Sequence, residues 1–398
     1  MTVFRYPVSD TRYKYPTDIG ELRRRWKVTR EAMAKENIDC IIMANNSPLF
    51  GGMLKYLTDC PVPLYPLTAF FSRDPEQGVG IFAHGAWGGV RIPPYACNES
   101  IRDNVAVPYL PSMNFTDDYL GIEAVKTAKR NGYKKMAWYG MNTIPTAFYL
   151  YLTENLPGVE FVDATDMLDH IKAVKSDYEI KLWTKCVEIH DQLMAAVPCV
   201  LRAGRTEKEV ADSIIKMAMD FDCESFNIML GADPLNPTLH NGYFQNKVVE
   251  EGDGVQLLIE VSAPTDIWAE CGRMFSIGDP APELQKACDD SIVLQEWVAK
   301  KSVPGADPVA LYHELNVKLK EMNYLPENRL FAHGQTYDIV DRPIYAEGET
   351  MILQENMFVA LHPTCATERT ACYNCDNYVV KKGGAVRLST TPLELIVI

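Results

Sequence analysis

Residues 171–211, "IKAVKSDYEIKLWTKCVEIHDQLMAAVPCVLRAGRTEKEVA", predict two consecutive helices joined by a turn. Apolar residues recur at helical spacing in the first part, which indicates a helix with one buried side. These residues are Ile180, Trp183, Val187, Met194 and Val197. Thr206 and Glu209, three residues apart, have the pattern of a capping box that begins the second helix. Strand-like apolar runs follow, so the stretch predicts a helix pair that leads into a sheet.

The same order of elements returns about a hundred residues later in the chain. Residues 283–301 have the pattern of a long amphipathic helix, and Asp307 with Pro308 begins another. Strand-like runs follow again, among them the predicted strand over residues 350–363. Gly204 and Gly305 occupy equivalent turns, so the pattern indicates an internal duplication. Two similar halves that pack together leave a cleft, which is a common place for a small-molecule site.

The first 170 residues alternate helix and strand patterns. Residues 19–37 have helical spacing, whereas "CIIMAN" and "GVGIFAH" are short apolar runs bounded by turn residues. This alternation predicts an α/β domain over residues 1–170 and a second domain of α+β type over residues 171–398. The chain shows no glycine-rich phosphate loop in the required strand–helix context.

Composition narrows the class of protein further. The 398 residues carry a net charge of −14, which argues against nucleic acid and anionic membranes as partners. No apolar run is long enough to span a membrane, and the first residues lack the basic and then apolar pattern of a signal peptide. Eleven scattered cysteines are an odd number, which favours free thiols in a reducing cytoplasm. We therefore expect a cytoplasmic enzyme or binding protein that recognises a small molecule.

Ionisable residues interrupt several runs that otherwise have the pattern of core strands. Glu260 and Glu270 lie in strands of the first half, and His333, His362 and Cys375 lie in or beside strands of the second half. A buried charge without a partner is costly, so such residues indicate pairing, metal binding or a wet cleft. Because they occupy matching places in the two halves, we predict that their side chains face one common site.

The segment over residues 171–211 resembles the entry into the catalytic domain of the creatinase and aminopeptidase P family. The residues that carry the resemblance are Ile171, Lys172, Lys175, Ser176, Glu179, Ile180, Gly204, Thr206 and Glu207. The resemblance covers nearly the whole chain. It implies a creatinase-like N-terminal α/β domain, a C-terminal pita-bread domain with an internal pseudo-twofold duplication, and a homodimer.

The family's peptidases hold two metal ions with Asp, Asp, His, Glu and Glu, and the resemblance lets these positions be compared. Glu260 and Glu270 fall at or near the two aspartates, and His333 matches the metal histidine. His362 and Cys375 replace the two glutamates. Since one of the five ligands is retained in kind, we expect chemistry without the dinuclear metal pair.

The metal-free branch of the family, creatinase, offers a partial match. Its catalytic histidine lies in a His-Asn loop, and His240-Asn241 stands at the matching place. Asp341 stands about where the peptidases have a second substrate-facing histidine. Two differences argue against creatine as the substrate: Asn374 replaces a glutamate, and the stretch "TDCPVPLYPL" lacks the arginine that grips the substrate carboxylate.

Three functional hypotheses follow. The preferred one is a hydrolase or lyase that cleaves a C–N bond of a small molecule without a cofactor, with His240 as proton shuttle. Glu260 or Glu270 would orient a water or a cationic nitrogen, while His333 and His362 polarise a carbonyl or amidine. The second is a metal-dependent Xaa-Pro-type peptidase or amidohydrolase. The third is a binding scaffold without catalysis.

The metal-dependent hypothesis uses a rebuilt ligand set. Its members are Glu260, Glu270, His333, His362 and Cys375. Mixed nitrogen, oxygen and sulfur donors favour zinc or ferrous iron over magnesium or calcium.

Further residues near these positions are candidates for substrate binding. They are Asn241, Trp268, Arg273, Tyr337, Asp341, Cys375 and Asp376. Each also has a structural interpretation. Trp268 packs equally well into a core. Arg273 holds an anionic group in one interpretation and pairs with a nearby carboxylate in the other.

Overall fold

The computed structural model describes residues 14–45, 47, 49–60, 65–85 and 99–398. The chain divides into two compact units, Met1–Lys172 and Ala173–Ile398. Outside the described residues lie most of the N-terminal stretch, the central part of the stretch "TDCPVPLYPL" and Cys97. Within them, no helix combines the length and apolarity that a membrane span requires.

The N-terminal unit is an α/β domain. Its helices are α1 Ile19–Lys35, α2 Gly52–Thr58, α3 Asp117–Asn131, α4 Thr146–Asn155 and α5 Thr165–Ala173, the last of which ends at the boundary. Its strands are β1 Cys40–Asn45, β2 Leu67–Ser72, β3 Val79–His84, β4 Ile101–Val107, β5 Lys135–Trp138 and β6 Glu160–Asp163. They form one mixed sheet in the order β4-β3-β2-β1-β5-β6. The predicted alternation of helices and strands is confirmed.

The first half of the C-terminal unit begins with the predicted helix pair. Its elements are α6 Asp177–Ala196, α7 Glu207–Asp220, β7 Phe226–Asp233, β8 Gly254–Ser262 and β9 Trp268–Ser276. Ser176 with Glu179 and Thr206 with Glu209 form complete capping boxes at the two helix starts. The three strands form an antiparallel sheet, which β17 Ile396–Val397 extends beside β9.

The second half repeats this plan. Its helices are α8 Pro282–Lys301 and α9 Pro308–Glu321. Its strands are β10 Ala332–Gly334, β11 Asp341–Ile344, β12 Phe358–Leu361, β13 Thr364–Ala366, β14 Ala371–Tyr373, β15 Asp376–Lys381 and β16 Gly384–Arg387. Five of them form a sheet in the order β11-β10-β12-β15-β16, and β13 pairs with β14. Two helix pairs that each lead into a sheet confirm the internal duplication.

The predicted strand over residues 350–363 is too long. Only Phe358–Leu361 is a strand, because a turn precedes it. The N–H of Met357 donates to the carbonyl of Gln354, and Asn356 has a φ of 72°, which lies in the left-handed region. Met351 and Leu353 before the turn are buried nonetheless, whereas Ile352 is exposed, so the stretch resembles a strand in composition although part of it faces solvent.

A backbone bridge ties β9 to the segment that enters β15, and it sets the position of the site. Gly272 and Cys375 exchange two backbone hydrogen bonds of 3.0 and 3.1 Å. A Cβ atom at Gly272 would lie 2.9 Å from the Cβ of Cys375, so this approach requires glycine. The side-chain amide of Asn377 adds a bond of 2.5 Å to the carbonyl of Glu270. The two sheets of the C-terminal unit are therefore joined directly beside the ionisable residues.

Candidate metal centre

The sheet of the first half aligns polar side chains across three strands. Glu260 on β8 lies directly opposite Glu270 on β9, and Asn227 on β7 lies opposite Glu260. Residues opposite one another in neighbouring strands point to the same face of the sheet. The Nδ2 of Asn227 donates to the Oε2 of Glu260 at 2.5 Å, and the carboxyl groups of Glu260 and Glu270 also hydrogen-bond each other. The first half thus delivers a linked pair of buried acids.

The sheet of the second half delivers two imidazoles and a thiol. His333 lies on β10, opposite Ala360 of β12. His362 directly follows β12, and Cys375 directly precedes β15, at the ends of two paired strands. All three side chains are buried. Strand pairing therefore places residues that are far apart in sequence at one edge of the sheet.

These groups meet at a single carboxylate oxygen, the Oε1 of Glu270. It lies 3.6 Å from the Nε2 of His333 and 3.9 Å from the Nε2 of His362. The Sγ of Cys375 donates to it at 2.9 Å. The centroids of the two imidazole rings are 5.2 Å apart. The structure thus brings together four of the predicted site residues, with Glu260 beside them.

The backbone carbonyl of the next residue orients the ring of His333. Its Nδ1 lies 2.9 Å from the carbonyl oxygen of Gly334, which only accepts, so Nδ1 carries the hydrogen. The Nε2 of the ring therefore faces Glu270. Metal-binding histidines typically hold their second nitrogen in this way, because the bond fixes both tautomer and ring angle.

Burial and mutual charge shift the pKa values of the residues in the cluster in different directions. Burial lowers the pKa of His362 to about 4, although Glu270 partly opposes the shift, so the imidazole is neutral near pH 7. Burial and the charge of Glu270 raise the pKa of Glu260 well above its usual value. Burial opposes ionisation of Glu270, but the charge interactions with His333 and His362 and the hydrogen bonds with Glu260 and Cys375 together lower its pKa. Burial, with Glu270 alongside, raises the pKa of the Cys375 thiol.

The donor atoms fit a metal ion. One carboxylate oxygen of Glu270 and one nitrogen each of His333 and His362 all lie within 4.8 Å of one another, and all three residues are buried. Two imidazole lone pairs that face an ionised carboxylate are favourable when a cation lies between them. Nitrogen and oxygen donors of this kind suit zinc or iron better than magnesium or calcium.

Arg273 and Asp376, both predicted to bind substrate, instead pair with each other. Their side chains are fully buried and 2.9 Å apart. Asp376 also accepts from Arg387 at 3.1 Å, and Arg273 donates to the backbone carbonyl of Pro392 at 2.7 Å. Of the two interpretations of Arg273, the structure favours the ion pair over an anion site. The oxygens of Asp376 are engaged in the same way, and its part in substrate binding stays a prediction.

Other candidates lie apart from the cluster or in the core. Trp268 is buried, and its carbonyl accepts from the indole of Trp183 at 3.0 Å. His240 is exposed on a loop, and its backbone bridges to Leu230. In the part of the chain that the structure describes, no contact links the imidazole of His240 to the buried acids. Its neighbour Asn241 is exposed as well.

The two remaining candidates are Tyr337, in the loop after β10, and Asp341, which begins β11. Tyr337 and Asp341 are both buried. The Oδ2 of Asp341 accepts from the hydroxyl of Thr336 at 2.5 Å, and Oδ1 accepts from the backbone N–H of Arg342. The carboxylate is therefore held within its own loop, and its part in substrate binding stays a prediction.

Sequence reasoning missed three residues beside the cluster. Asn227 supports Glu260, and the Nε2 of Gln335 lies 3.5 Å from the Oε2 of Glu270. The ring of Tyr373 lies edge-on to that of His362, with centroids 6.2 Å apart. Asn227 in "FNIML" carried the same signal as Glu260, a lone polar residue in an apolar strand. Gln335 lies two residues after His333, at the spacing that keeps one face of a strand.

Solved structures with this fold cover almost the whole chain. The X-Pro aminopeptidase from Thermotoga maritima has a TM-score of 0.77 at 18% identity, covering 94% of this chain and 99% of that one. The prolidase from Pyrococcus horikoshii has a TM-score of 0.74 at 20% identity, covering 94% and 100%. The predicted pita-bread domain with an N-terminal α/β domain is thereby confirmed.

Sequence comparison gives the family. The model of metallopeptidase family M24 matches residues 181–391, more than half of the chain. The Xaa-Pro dipeptidase of Pyrococcus horikoshii is 23% identical over 377 residues, which cover 92% of this chain and 97% of the relative. The probable dipeptidase PepE of Mycobacterium tuberculosis is 26% identical over 262 residues, which cover 65% and 69%. The chain belongs to metallopeptidase family M24, and it is a hydrolase of the peptidase class.

Membership of this family corrects the preferred hypothesis about the cofactor. Chemistry without a metal was expected because most ligands differ in kind from those of the family. That expectation is wrong: the matching family is one of metallopeptidases, and Glu270, His333 and His362 form a group able to hold an ion. The replacements changed the identity of the ligands and kept their capacity to bind metal.

Proposed function

We propose that this protein is a metal-dependent dipeptidase of the Xaa-Pro type, which uses a rebuilt metal site. The observation that carries the proposal is the convergence of Glu270, His333 and His362 within 4.8 Å of one another. The names of its relatives support the substrate class, since they include an Xaa-Pro dipeptidase and a probable dipeptidase. A homodimer and a cytoplasmic location stay predictions.

Some residues of the chain bind the ion in this proposal, and another transfers a proton. Glu270 supplies the negative charge, while His333 and His362 supply nitrogen donors in a buried setting. When bound, a divalent ion polarises a peptide carbonyl and activates water for attack on it. Burial strengthens such electrostatic effects because little water screens them.

Glu260 is the proton carrier in this proposal. Its raised pKa favours the protonated form, and the Nδ2 of Asn227 donates to one of its oxygens. A carboxylic acid held in this state can release its proton to the amine nitrogen that leaves when the C–N bond breaks. The linked pair of acids therefore serves two tasks, with Glu270 ionised and Glu260 protonated.

The test is hydrolysis of a panel of Xaa-Pro dipeptides by the full chain, with and without prior treatment by a chelator. We expect turnover that the chelator abolishes and that an added divalent metal restores. Glu270→Gln should lower kcat/KM by at least about 100-fold, because it removes both the charge and an ion ligand. Undiminished turnover after complete metal removal would refute the proposal, as would no turnover of any dipeptide by the metal-loaded protein.

A further inference from the structure

We propose that the centre holds one zinc ion, not two, with Glu270, His333 and His362 as its protein ligands. Glu260 and Cys375 are not ligands, and Cys375 acts by positioning Glu270. This inference rests on the proposed function only in that an ion is bound at the cluster. It departs from the two-ion arrangement that the family resemblance implies.

The first argument is the geometry of the donor atoms. Glu270, His333 and His362 each offer one atom to a group in which every pair lies within 4.8 Å. In the described residues, no other group of three or more histidine, cysteine or acidic side chains meets this condition. Two histidines and one glutamate form a typical catalytic zinc site, which leaves a position open for water or substrate. The cluster therefore contains one complete set of ligands.

The second argument concerns the space beside Glu260, where another ion would have to bind. Glu260 lies opposite Glu270 on the neighbouring strand, so an ion there would lie between these two carboxyl groups. The Oε2 of Glu260 accepts from the amide Nδ2 of Asn227 at 2.5 Å, so a hydrogen-bond donor points at the carboxyl group. An amide N–H group repels a cation and does not ligate it. Glu260 is also absent from the group of mutually close donors, so it lacks the partners of a metal ligand.

The third argument concerns Cys375. Its Sγ donates a hydrogen bond to the Oε1 of Glu270 at 2.9 Å. The Sγ is also absent from the group of mutually close donors. Because its backbone is bonded to Gly272, Cys375 is fixed in place and holds the Glu270 carboxylate toward the two imidazoles.

Elemental analysis of protein purified without added metal tests the number of ions. We expect about one zinc per chain in the unaltered protein and in Glu260→Gln. His362→Ala should retain less than about a tenth of an equivalent. Circular dichroism of each variant confirms that a loss of metal is not a loss of fold. Saturation at two equivalents by the unaltered protein would overturn the inference, and so would loss of the ion in a folded Glu260→Gln variant.

Cobalt substitution tests the role of Cys375 without reference to activity. Zinc is removed with a chelator and replaced by Co²⁺, whose visible absorption reports on its ligands. We expect a spectrum without a sulfur-to-cobalt charge-transfer band in the near ultraviolet. Cys375→Ser should bind one Co²⁺ and show the same set of bands, with at most a small shift. A charge-transfer band that disappears in Cys375→Ser would show that the thiolate is a ligand and would overturn the three-ligand assignment.

These measurements distinguish this inference from the proposed function. One zinc per chain without dipeptide hydrolysis would refute the function and leave the single-ion site intact. Dipeptide hydrolysis that requires two ions per chain would refute the single-ion site and leave the function intact.

Discussion

Buried ionisable residues in this protein have two different kinds of partner. Arg273 and Asp376 neutralise each other in a fully buried ion pair, whereas Glu270 faces two imidazoles and a thiol. In sequence the two cases look alike, because both are polar residues in apolar strands. The partner of Arg273 lies 103 residues away, so no local pattern predicts the pairing. The distinction between structure and chemistry thus depends on what each side chain contacts.

Asp376→Ala tests the structural role at the residue scale. The change leaves the guanidinium of Arg273 buried without its carboxylate, and Arg387 also loses a partner. We expect the free energy of unfolding to fall by about 3–5 kcal/mol, since a buried charge without its partner is costly. Urea denaturation of the full chain measures the change.

The matched control is an exposed ion pair in the same unit, Lys301 with Glu314. Lys301→Ala should change the free energy of unfolding by less than about 1 kcal/mol, because solvent screens this pair. Similar losses in the two variants would contradict a specific role for the buried pair.

At the element scale, helices and their order could be predicted better than strand ends or contacts between strands. The capping boxes at Ser176 and Thr206 are local patterns, so the sequence alone locates both helix starts. The turn at Gln354–Met357 was missed because buried apolar residues flank it on both sides. The bridge between Gly272 and Cys375 joins positions in two different sheets and leaves no periodic signal.

Gly272→Ala tests this bridge. The added Cβ atom would lie 2.9 Å from the Cβ of Cys375, closer than carbon atoms approach, so the backbone of β9 or the segment before β15 must move. We expect the free energy of unfolding to fall by about 1–3 kcal/mol through overpacking. The zinc affinity should fall as well, because Cys375 positions Glu270. Urea denaturation and zinc titration by calorimetry measure the two effects.

Gly383→Ala is the matched control in the same unit. No atom lies within 4 Å of a Cβ placed at this glycine, and its backbone does not have a positive φ. Both stability and zinc affinity should remain as in the unaltered protein. If Gly272→Ala behaved in the same way, the close approach of the two strands would not matter for the site.

At the scale of the whole molecule, the sequence was sufficient for the fold and for the convergence of Glu270, His333 and His362, but not for the cofactor. Glu270, His333 and His362 were predicted to face one site because they occupy matching places in a duplicated domain. The metal was misjudged because ligand identity was compared in place of donor chemistry. A histidine that replaces a glutamate still offers a lone pair to an ion, so a centre can change its ligands and remain a metal centre.

Metal binding should therefore raise the free energy of unfolding of the whole chain. An ion that binds the folded state and not the unfolded chain adds about 2.7 kcal/mol at a concentration of 100 times its Kd. We expect the midpoint of thermal unfolding to be higher in zinc than in a chelator, and to rise further with zinc concentration. Differential scanning calorimetry of the full chain measures the shift. His362→Ala should show almost none of it, because it has lost one of three ligands whose geometry depends on the folded sheets. An equal shift in both proteins would mean that zinc acts elsewhere on the chain, and the buried cluster would then owe its arrangement to hydrogen bonds alone.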